Sequence, residues 1–261
     1  IINDFSLSIL PTATPYSRNS IFSGLLPIKI HEVYSDFYLK NKDEHSMNNM
    51  EDVFLNDQLK RISKTKYSSK YFKILNNKHG EKLINSLSDY NNIDLLSIVI
   101  NFIDILGHKR SEHAILQEML PDSNAFRELV KTWFEKSWVK DIFENLNQPD
   151  TVFIITSDHG SIQVNNKIQI KADSTTSKGL RYKYGKNIGC NKNKVWHVPN
   201  PNDIGLPKYY FNMEYIFATN HDYFVYPNKL NEFSNKINGS FQHGGISLDE
   251  MITPLATVIG R

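Results

Sequence analysis

The stretch Asp94-Leu-Leu-Ser-Ile-Val-Ile-Asn-Phe-Ile103 is a nearly continuous aliphatic run, which indicates a β-strand covered on both faces. A second such run, Thr151-Val-Phe-Ile-Ile-Thr156, follows residues 110–146, whose pattern is helical with a break near Pro121. A strand, helices and a second strand make a crossover unit, which joins parallel strands. We therefore expect an α/β fold: a three-layer α/β/α sandwich with a mostly parallel central sheet.

Shorter elements surround this crossover unit. Residues 15–26 have helical periodicity, with Thr14 as the expected cap, and Pro27 stops the helix. A further helix is expected from Met50 to about Lys64. Residues 160–212 are polar and indicate loops and short strands at one end of the sheet.

The C-terminal part repeats the order of loop, helix and strand. Ser247 and Glu250 have the spacing of a capping box for a short helix, and Leu255–Ile259 is expected to be the last strand. We expect one domain over residues 1–261, with residues 28–93 as an insertion that covers the site and supplies specificity.

Composition excludes several classes of function. The 261 residues carry a formal net charge of only +2, so the whole chain has no strong field to attract nucleic acid or an anionic membrane. The single cysteine, Cys190, rules out an intramolecular disulfide and a thiolate zinc cluster. No apolar run approaches the roughly 18–20 residues of a membrane span. We expect a cytoplasmic protein. Because the sequence opens with Ile-Ile-Asn-Asp and has no initiator methionine, we expect it to be a piece of a longer chain.

Acidic and histidine side chains follow the predicted strands. Asp104 and His108 come after the first strand, Asp158 and His159 come after the second, and His243 precedes two glycines. Because the carboxyl ends of parallel strands meet at one edge of a sheet, we expect these side chains to converge. Carboxylate and imidazole ligands suit zinc, with iron or manganese as alternatives.

Thr14 adds a hydroxyl to this group. It lies at the predicted start of a helix, where unbonded N–H groups favour anions such as phosphate. The alternative is that Thr14 is only a helix cap, contributing about 1 kcal/mol. Arg18, one turn later, is able to fold back towards a bound phosphate or to lie on a solvated face. Arg181 and Lys183 alternate along a predicted strand and are further phosphate-binding candidates.

Several motifs together resemble PglZ domains of the alkaline phosphatase superfamily. They are Pro11-Thr-Ala-Thr14-Pro-Tyr-Ser-Arg18-Asn19-Ser-Ile-Phe-Ser-Gly24-Leu-Leu-Pro27, Asp104-Ile-Leu-Gly-His108, Ser157-Asp-His-Gly160, Leu180-Arg-Tyr-Lys-Tyr-Gly185 and Gln242-His-Gly-Gly245. The resemblance covers essentially the whole chain. It is strongest to the effector domains of response regulators of Bacteroidota, two-component proteins that act in type IX secretion.

The resemblance implies a two-zinc phosphodiesterase or phosphatase. One zinc would be held by Asp104, His108 and His243, and the other by Asp158, His159 and the nucleophile Thr14. Arg18, Asn19, Arg181 and Lys183 would bind the substrate, a nucleotide-type phosphodiester. A further aspartate, expected at the end of a strand well before the nucleophile, is not matched, since only Asp4 precedes Thr14.

Other functions remain open. One alternative is a signalling or docking module with structural zinc and vestigial catalysis, which would bind a sigma factor or a secretion component. The resemblance also implies a possible homodimer in the full-length protein. A sulfatase is disfavoured because Cys190 lacks the Cys-x-Pro-x-Arg context, whereas a phosphomutase is not excluded by these residues.

Overall fold

The structure is a computed structural model that describes residues 1–35, 48–63, 65, 67–172, 176–177, 179–227 and 237–261. The chain divides into two compact units. Unit 1 comprises Ile1–Asp4, Leu59–Ile155 and Leu255–Arg261, and unit 2 comprises Phe5–Gln58 and Thr156–Pro254. The expected insertion over residues 28–93 therefore contributes to both units, and part of it, residues 36–47, lies outside the described residues.

Helices and strands alternate along much of the chain. The strands are β1 (Ile2–Leu7), β2 (Ser69–Ile74), β3 (Leu95–Ile100), β4 (Val152–Thr156), β5 (Ile162–Gln163), β6 (Asn166–Gln169), β7 (Tyr182–Lys186), β8 (Val195–Val198), β9 (Met213–Ala218), β10 (Asp222–Val225), β11 (Phe241–Gln242) and β12 (Ile252–Ile259). The α-helices are α1 (Thr14–Ser23), α2 (Pro27–Val33), α3 (Glu51–Ile62), α4 (Asn77–Asn85), α5 (Phe102–Glu112), α6 (Ala114–Met119), α7 (Ser123–Lys136), α8 (Trp138–Asn145) and α9 (Leu248–Met251). The helices predicted over 15–26 and from Met50 to Lys64 are confirmed with slightly shorter bounds.

Unit 1 contains a parallel crossover of its own. Strands β2 and β3 pair in parallel, with Ser69 opposite Leu95 and Ile74 opposite Ile100, and α4 connects them. Helices α4 and α8 supply most of the buried side chains that pack beside these strands. This core consists of Ile74, Leu83, Leu87, Trp138, Val139 and Ile142.

Gly80 is a point of close packing in this core. A Cβ atom at this position of α4 would lie 2.2 Å from Cδ2 and Cε2 of Trp138, far inside van der Waals contact. We expect Gly80→Ala to destabilise the protein by about 1–3 kcal/mol, because the buried indole must shift. A lower urea midpoint of unfolding would measure this loss. The matched control is Gly107→Ala in α5, where a Cβ would meet nothing within 4 Å. There the helix propensity of alanine should be neutral or stabilising, and equal midpoints for the two variants would contradict the packing argument.

Unit 2 is built around an antiparallel sheet. Strand β9 lies between β7 and β8, with Ile216 opposite both Lys183 and His197. One face of this sheet carries an aromatic core that includes Tyr16 of α1. The ring of Tyr16 packs edge-on against Tyr182 at 5.9 Å between centroids, and burial raises its pKa well above the ordinary value. Helix α1 is therefore anchored to the sheet through a neutral, buried phenol.

The expected single sheet is replaced by smaller ones among the described residues. Strands β3 and β4 both form, but β3 pairs with β2, whereas β4 lies at an edge of a sheet ordered β1-β12-β4. The remaining small sheets include a parallel pair, β10-β6, and an antiparallel pair, β11-β5. The fold is thus mixed α/β, and a mostly parallel central sheet is not what the described strands form.

The expectation that both aliphatic strands are fully covered is also corrected. In β4 the side chain of Ile154 is 69% exposed, and β3 is only partly buried. An edge strand has one neighbour instead of two, which leaves more of its surface open. No helix in the described part of the chain is both long and apolar enough to cross a membrane.

Candidate active site

Thr14 occupies the first turn of α1 with its hydroxyl turned towards a histidine. Its Oγ1 lies 3.1 Å from Nε2 of His159, which is only 8% exposed. The prediction that Thr14 caps the helix is wrong: Ala13 is the cap residue, and it makes no side-chain capping bond. The hydroxyl of Thr14 therefore does not cap its own helix. It contacts His159, which lies 145 positions along the chain, instead.

The ring of His159 is fixed by its other nitrogen. Nδ1 lies 2.9 Å from the carbonyl oxygen of Gly160. A carbonyl only accepts hydrogen bonds, so Nδ1 carries the proton, and the neutral ring presents a lone pair at Nε2. That lone pair is aimed at the hydroxyl of Thr14.

His243 is arranged in the same way beside it. Its Nδ1 donates to the carbonyl oxygen of Thr12 at 3.0 Å, which leaves Nε2 unprotonated in the neutral ring. The rings of His159 and His243 stack with centroids 4.0 Å apart and planes inclined by 18°. A ring nitrogen of His159 lies within 4.8 Å of a ring nitrogen of His243. Two imidazoles thus offer lone pairs in the same small volume.

Asp158 brings a negative charge to this volume. Its Oδ2 is buried without a hydrogen-bond partner among the described residues, and it lies 3.7 Å from Nε2 of His159. A buried carboxylate oxygen without a partner is costly unless a cation or a donor compensates it. Together with Nε2 of His159, this oxygen offers the kind of donor atoms that suit a divalent ion such as Zn²⁺. The backbone carbonyls that hold the two Nδ1 atoms are the outer partners such ligands usually have.

Asp104 and His108 lie in unit 1, on α5. Their side chains are about half exposed, and His108 Nε2 is 3.4 Å from Asp104 Oδ1. The hydrogen bond with Asp104 is the main reason that the pKa of His108 is raised above its ordinary value. The expected spacing of four residues therefore does place these two side chains on one side of a helix.

Arg18 and Asn19 belong to a polar network around α1. Arg18 Nε donates to Glu51 Oε1, and the side chain of Arg18 is 11% exposed. Asn48 donates to the same carboxylate at 3.0 Å and to the carbonyl oxygen of Thr14 at 3.2 Å. Asn19 is fully buried and donates to the carbonyl of Pro15. The network ties the start of α3 to the first turns of α1.

Arg181 and Lys183 are turned to internal partners. Arg181 is fully buried and donates to both carboxylate oxygens of Glu250, each at 2.7 Å. Lys183 is 2% exposed and donates to the carbonyl of Ser177 at 2.9 Å, with its ammonium 5.1 Å from the ring centre of Tyr226. Both side chains therefore make internal contacts in this structure.

The sequence analysis missed Glu51, Asn48 and Glu250 as neighbours of the site. Glu250 was assigned to a capping box, but Ser247 donates to its carboxylate at 2.6 Å and makes no capping bond. Glu51 is 1% exposed at the start of a helix, where an acidic residue is common and gives no separate signal. A buried partner for Arg181 was not foreseeable from local periodicity.

Comparison with known proteins gives the family. The family described as "BREX system PglZ alkaline phosphatase-like domain" matches residues 2–258, nearly the whole chain. No curated protein matches the chain. The matched segment includes Thr14, Asp104, His108, Asp158, His159 and His243. The chain belongs to the family of PglZ alkaline phosphatase-like domains.

Proposed function

We propose that this domain is a zinc-dependent phosphodiesterase or phosphatase with Thr14 as the nucleophile. The observation that carries the proposal is the hydroxyl of Thr14, held 3.1 Å from Nε2 of the buried His159. Beside this ring lies a buried oxygen of Asp158 for which the described part of the chain offers no hydrogen-bond partner. Membership of an alkaline phosphatase-like family supports phosphoester hydrolysis as the reaction class. The geometry supports the assignment of the nucleophile.

The metal ligands are assigned to two groups. In this proposal Asp158, His159 and Thr14 hold one zinc, and Asp104, His108 and His243 hold the other. Asp158 and His159 fit the first ion, because Nδ1 of His159 is fixed by a carbonyl and Oδ2 of Asp158 has no hydrogen-bond partner among the described residues. His243 fits the second in the same way, since a carbonyl also fixes its Nδ1. When bound, zinc supplies positive charge that favours the ionised oxygen of Thr14 and offsets charge on the phosphoryl oxygens.

The chain's own residues orient the reaction. Thr14 lies in the first turn of α1, at the helix end whose dipole favours anions such as phosphoryl oxygens. Thr14 Oγ1 gives up its proton to solvent as it attacks phosphorus, the bond between phosphorus and the leaving oxygen breaks, and the leaving oxygen takes a proton from water. The phosphoryl group stays on Thr14 until a water molecule displaces it and restores the hydroxyl.

We assign the contacts to the substrate around α1 to Arg18 and Asn19. Arg18 is one helical turn from Thr14 and keeps part of its side chain at the surface. Its guanidinium suits bidentate contact with a phosphoryl group. By resemblance, Arg181 and Lys183 stay in the proposed set of substrate-binding residues; in this structure each of them, like Arg18, donates to a protein acceptor.

The biological setting proposed here rests on resemblance. A nucleotide-type phosphodiester is the proposed substrate, and the motifs resemble those of PorX, a cytoplasmic response regulator of type IX secretion. On that basis the domain is proposed as a signalling effector that binds a sigma factor or a secretion component and forms a homodimer in the full-length protein. We also retain the proposal that residues 28–93 are an insertion governing specificity.

Metal removal tests the proposed reaction. We expect treatment with EDTA to lower the rate of hydrolysis of an aryl phosphodiester about 10³-fold, because the metal supplies several kcal/mol of transition-state stabilisation. Zinc sulfate should restore the rate after the chelator is removed, and magnesium should not. Hydrolysis that survives EDTA would contradict metal dependence. Zinc binding without hydrolysis would support the alternative of a docking module.

A further inference from the structure

Thr12 joins two distant parts of the site through three hydrogen bonds. Its side chain is fully buried two residues before Thr14. Oγ1 donates to the carbonyl of Gly245 at 2.8 Å and accepts from the N–H of Gly244 at 3.0 Å. Its carbonyl oxygen accepts from Nδ1 of His243 at 3.0 Å. One residue therefore holds three consecutive residues of a loop that lies more than 230 positions along the chain.

The loop at Gly244 and Gly245 has little room to rearrange. Gly244 has φ of +113°, and a Cβ there would lie 2.6 Å from the ring of Tyr182. A Cβ at Gly245 would lie 2.6 Å from the carbonyl oxygen of Ala218. Tyr182 and Ala218 therefore confine the loop where it faces the sheet. The hydrogen bonds of Thr12 attach the loop to the segment before Thr14. A movement of Thr12 would therefore also move the imidazole of His243, which donates to its carbonyl oxygen.

We propose that Thr12 is a positioning residue that fixes the ring of His243, and through it the affinity of the site for zinc. This inference rests on the proposed function for its metal, but the orientation of the ring is a property of the chain itself. The hydroxyl of Thr12 holds the loop, and the carbonyl of Thr12 keeps the proton of His243 on Nδ1. Outer partners of this kind commonly change metal affinity about 10–100-fold when they are removed.

The test uses a variant of similar shape without the hydroxyl. Thr12→Val removes both bonds of Oγ1, and it leaves the Gly244 N–H and the Gly245 carbonyl without this partner. We expect calorimetric titration of the metal-free protein with zinc to show affinity at least about tenfold weaker. Thr12→Ser keeps the hydroxyl and should stay within about threefold of the unmodified protein. If Thr12→Val folds poorly, Thr12→Ala replaces it as the test variant, because the smaller alanine cannot overpack the site. We expect Thr12→Ala to show the same loss of zinc affinity.

A matched control separates positioning from general stability. Ser17 is also a buried hydroxyl near the site, and it donates to the carbonyl of Ala13 at 2.9 Å. Ser17→Ala should lower the unfolding midpoint slightly and leave zinc affinity unchanged. Thr12→Val and Thr12→Ala variants that bind zinc as tightly as the unmodified protein would overturn the inference.

A second measurement does not need the metal. Nitrogen NMR of the metal-free protein reports which ring nitrogen of His243 is protonated. We expect one tautomer, protonated at Nδ1, in the unmodified protein and a mixture in Thr12→Val. An unmodified protein that binds no zinc would contradict the metal part of the proposed function, and the tautomers would still decide whether Thr12 positions His243. Identical tautomers in both proteins would overturn the positioning role.

Discussion

The Thr14→Val variant is expected to lose at least about 10³-fold in kcat for an aryl phosphodiester. Valine has nearly the same shape as threonine but no oxygen, so the variant keeps the start of α1 and removes the nucleophile. The loss should be large because the proposed reaction makes a covalent bond at Oγ1, which lies 3.1 Å from Nε2 of His159. Initial rates with a chromogenic diester measure it.

Two variants make this result specific to the oxygen of Thr14. Thr14→Ser retains a hydroxyl and should keep kcat within about tenfold, since the chemistry of its oxygen is similar. Ser17→Ala removes a different hydroxyl of α1, one that donates to Ala13, and should keep nearly the full rate. Full activity in Thr14→Val would exclude Thr14 as the nucleophile. Mass spectrometry of a rapidly quenched reaction should find phosphate on Thr14 in the active protein.

The Glu250→Gln variant is expected to destabilise unit 2 by about 3–5 kcal/mol. Glu250 is fully buried, and its two oxygens accept the bidentate contact from Arg181. They also accept the N–H of Gly245 at 2.8 Å and the hydroxyl of Ser247 at 2.6 Å. The neutral amide leaves the buried guanidinium without a counter-charge and presents N–H₂ to donors. Urea unfolding measures the loss of free energy.

Two comparisons separate charge from packing at Glu250. Asp249→Asn changes the exposed acidic neighbour and should stay within about 0.5 kcal/mol of the unmodified protein. The double variant Arg181→Met with Glu250→Met removes both charges together and should be more stable than Glu250→Gln alone. A Glu250→Gln protein as stable as Asp249→Asn would show that the ion pair contributes little. Because Glu250 holds the N–H of Gly245, its loss should also loosen the loop that carries His243.

Local sequence patterns predict the helices and strands of this chain better than they predict which strands pair. The aliphatic runs form β3 and β4, and the apolar periodicity after Pro15 forms α1. Which strands become neighbours depends on contacts between distant residues, and neither run encodes its partner. β3 pairs with β2, and β4 lies at the edge of another sheet.

At the candidate site, too, the sequence predicts several of the residues but not their contacts with distant parts of the chain. Residue type and position after a strand or before a helix singled out Thr14, Asp158, His159 and His243, which lie together in unit 2. The burial of Arg181 depends on Glu250, 69 positions away, and alternation along β7 does not reveal which face that partner covers. The role of Thr12 depends on a loop near the other end of the sequence. Such partners become visible only when distant segments are placed together.

Anomalous diffraction at the zinc edge, from crystals grown with zinc, would show directly whether the proposed site holds a metal. We expect a peak at bonding distance from Nε2 of His159 and an oxygen of Asp158, with Oγ1 of Thr14 beside it. A second peak is predicted at Nε2 of His243. Zinc-soaked crystals that show both imidazoles and no anomalous peak at them would contradict the account.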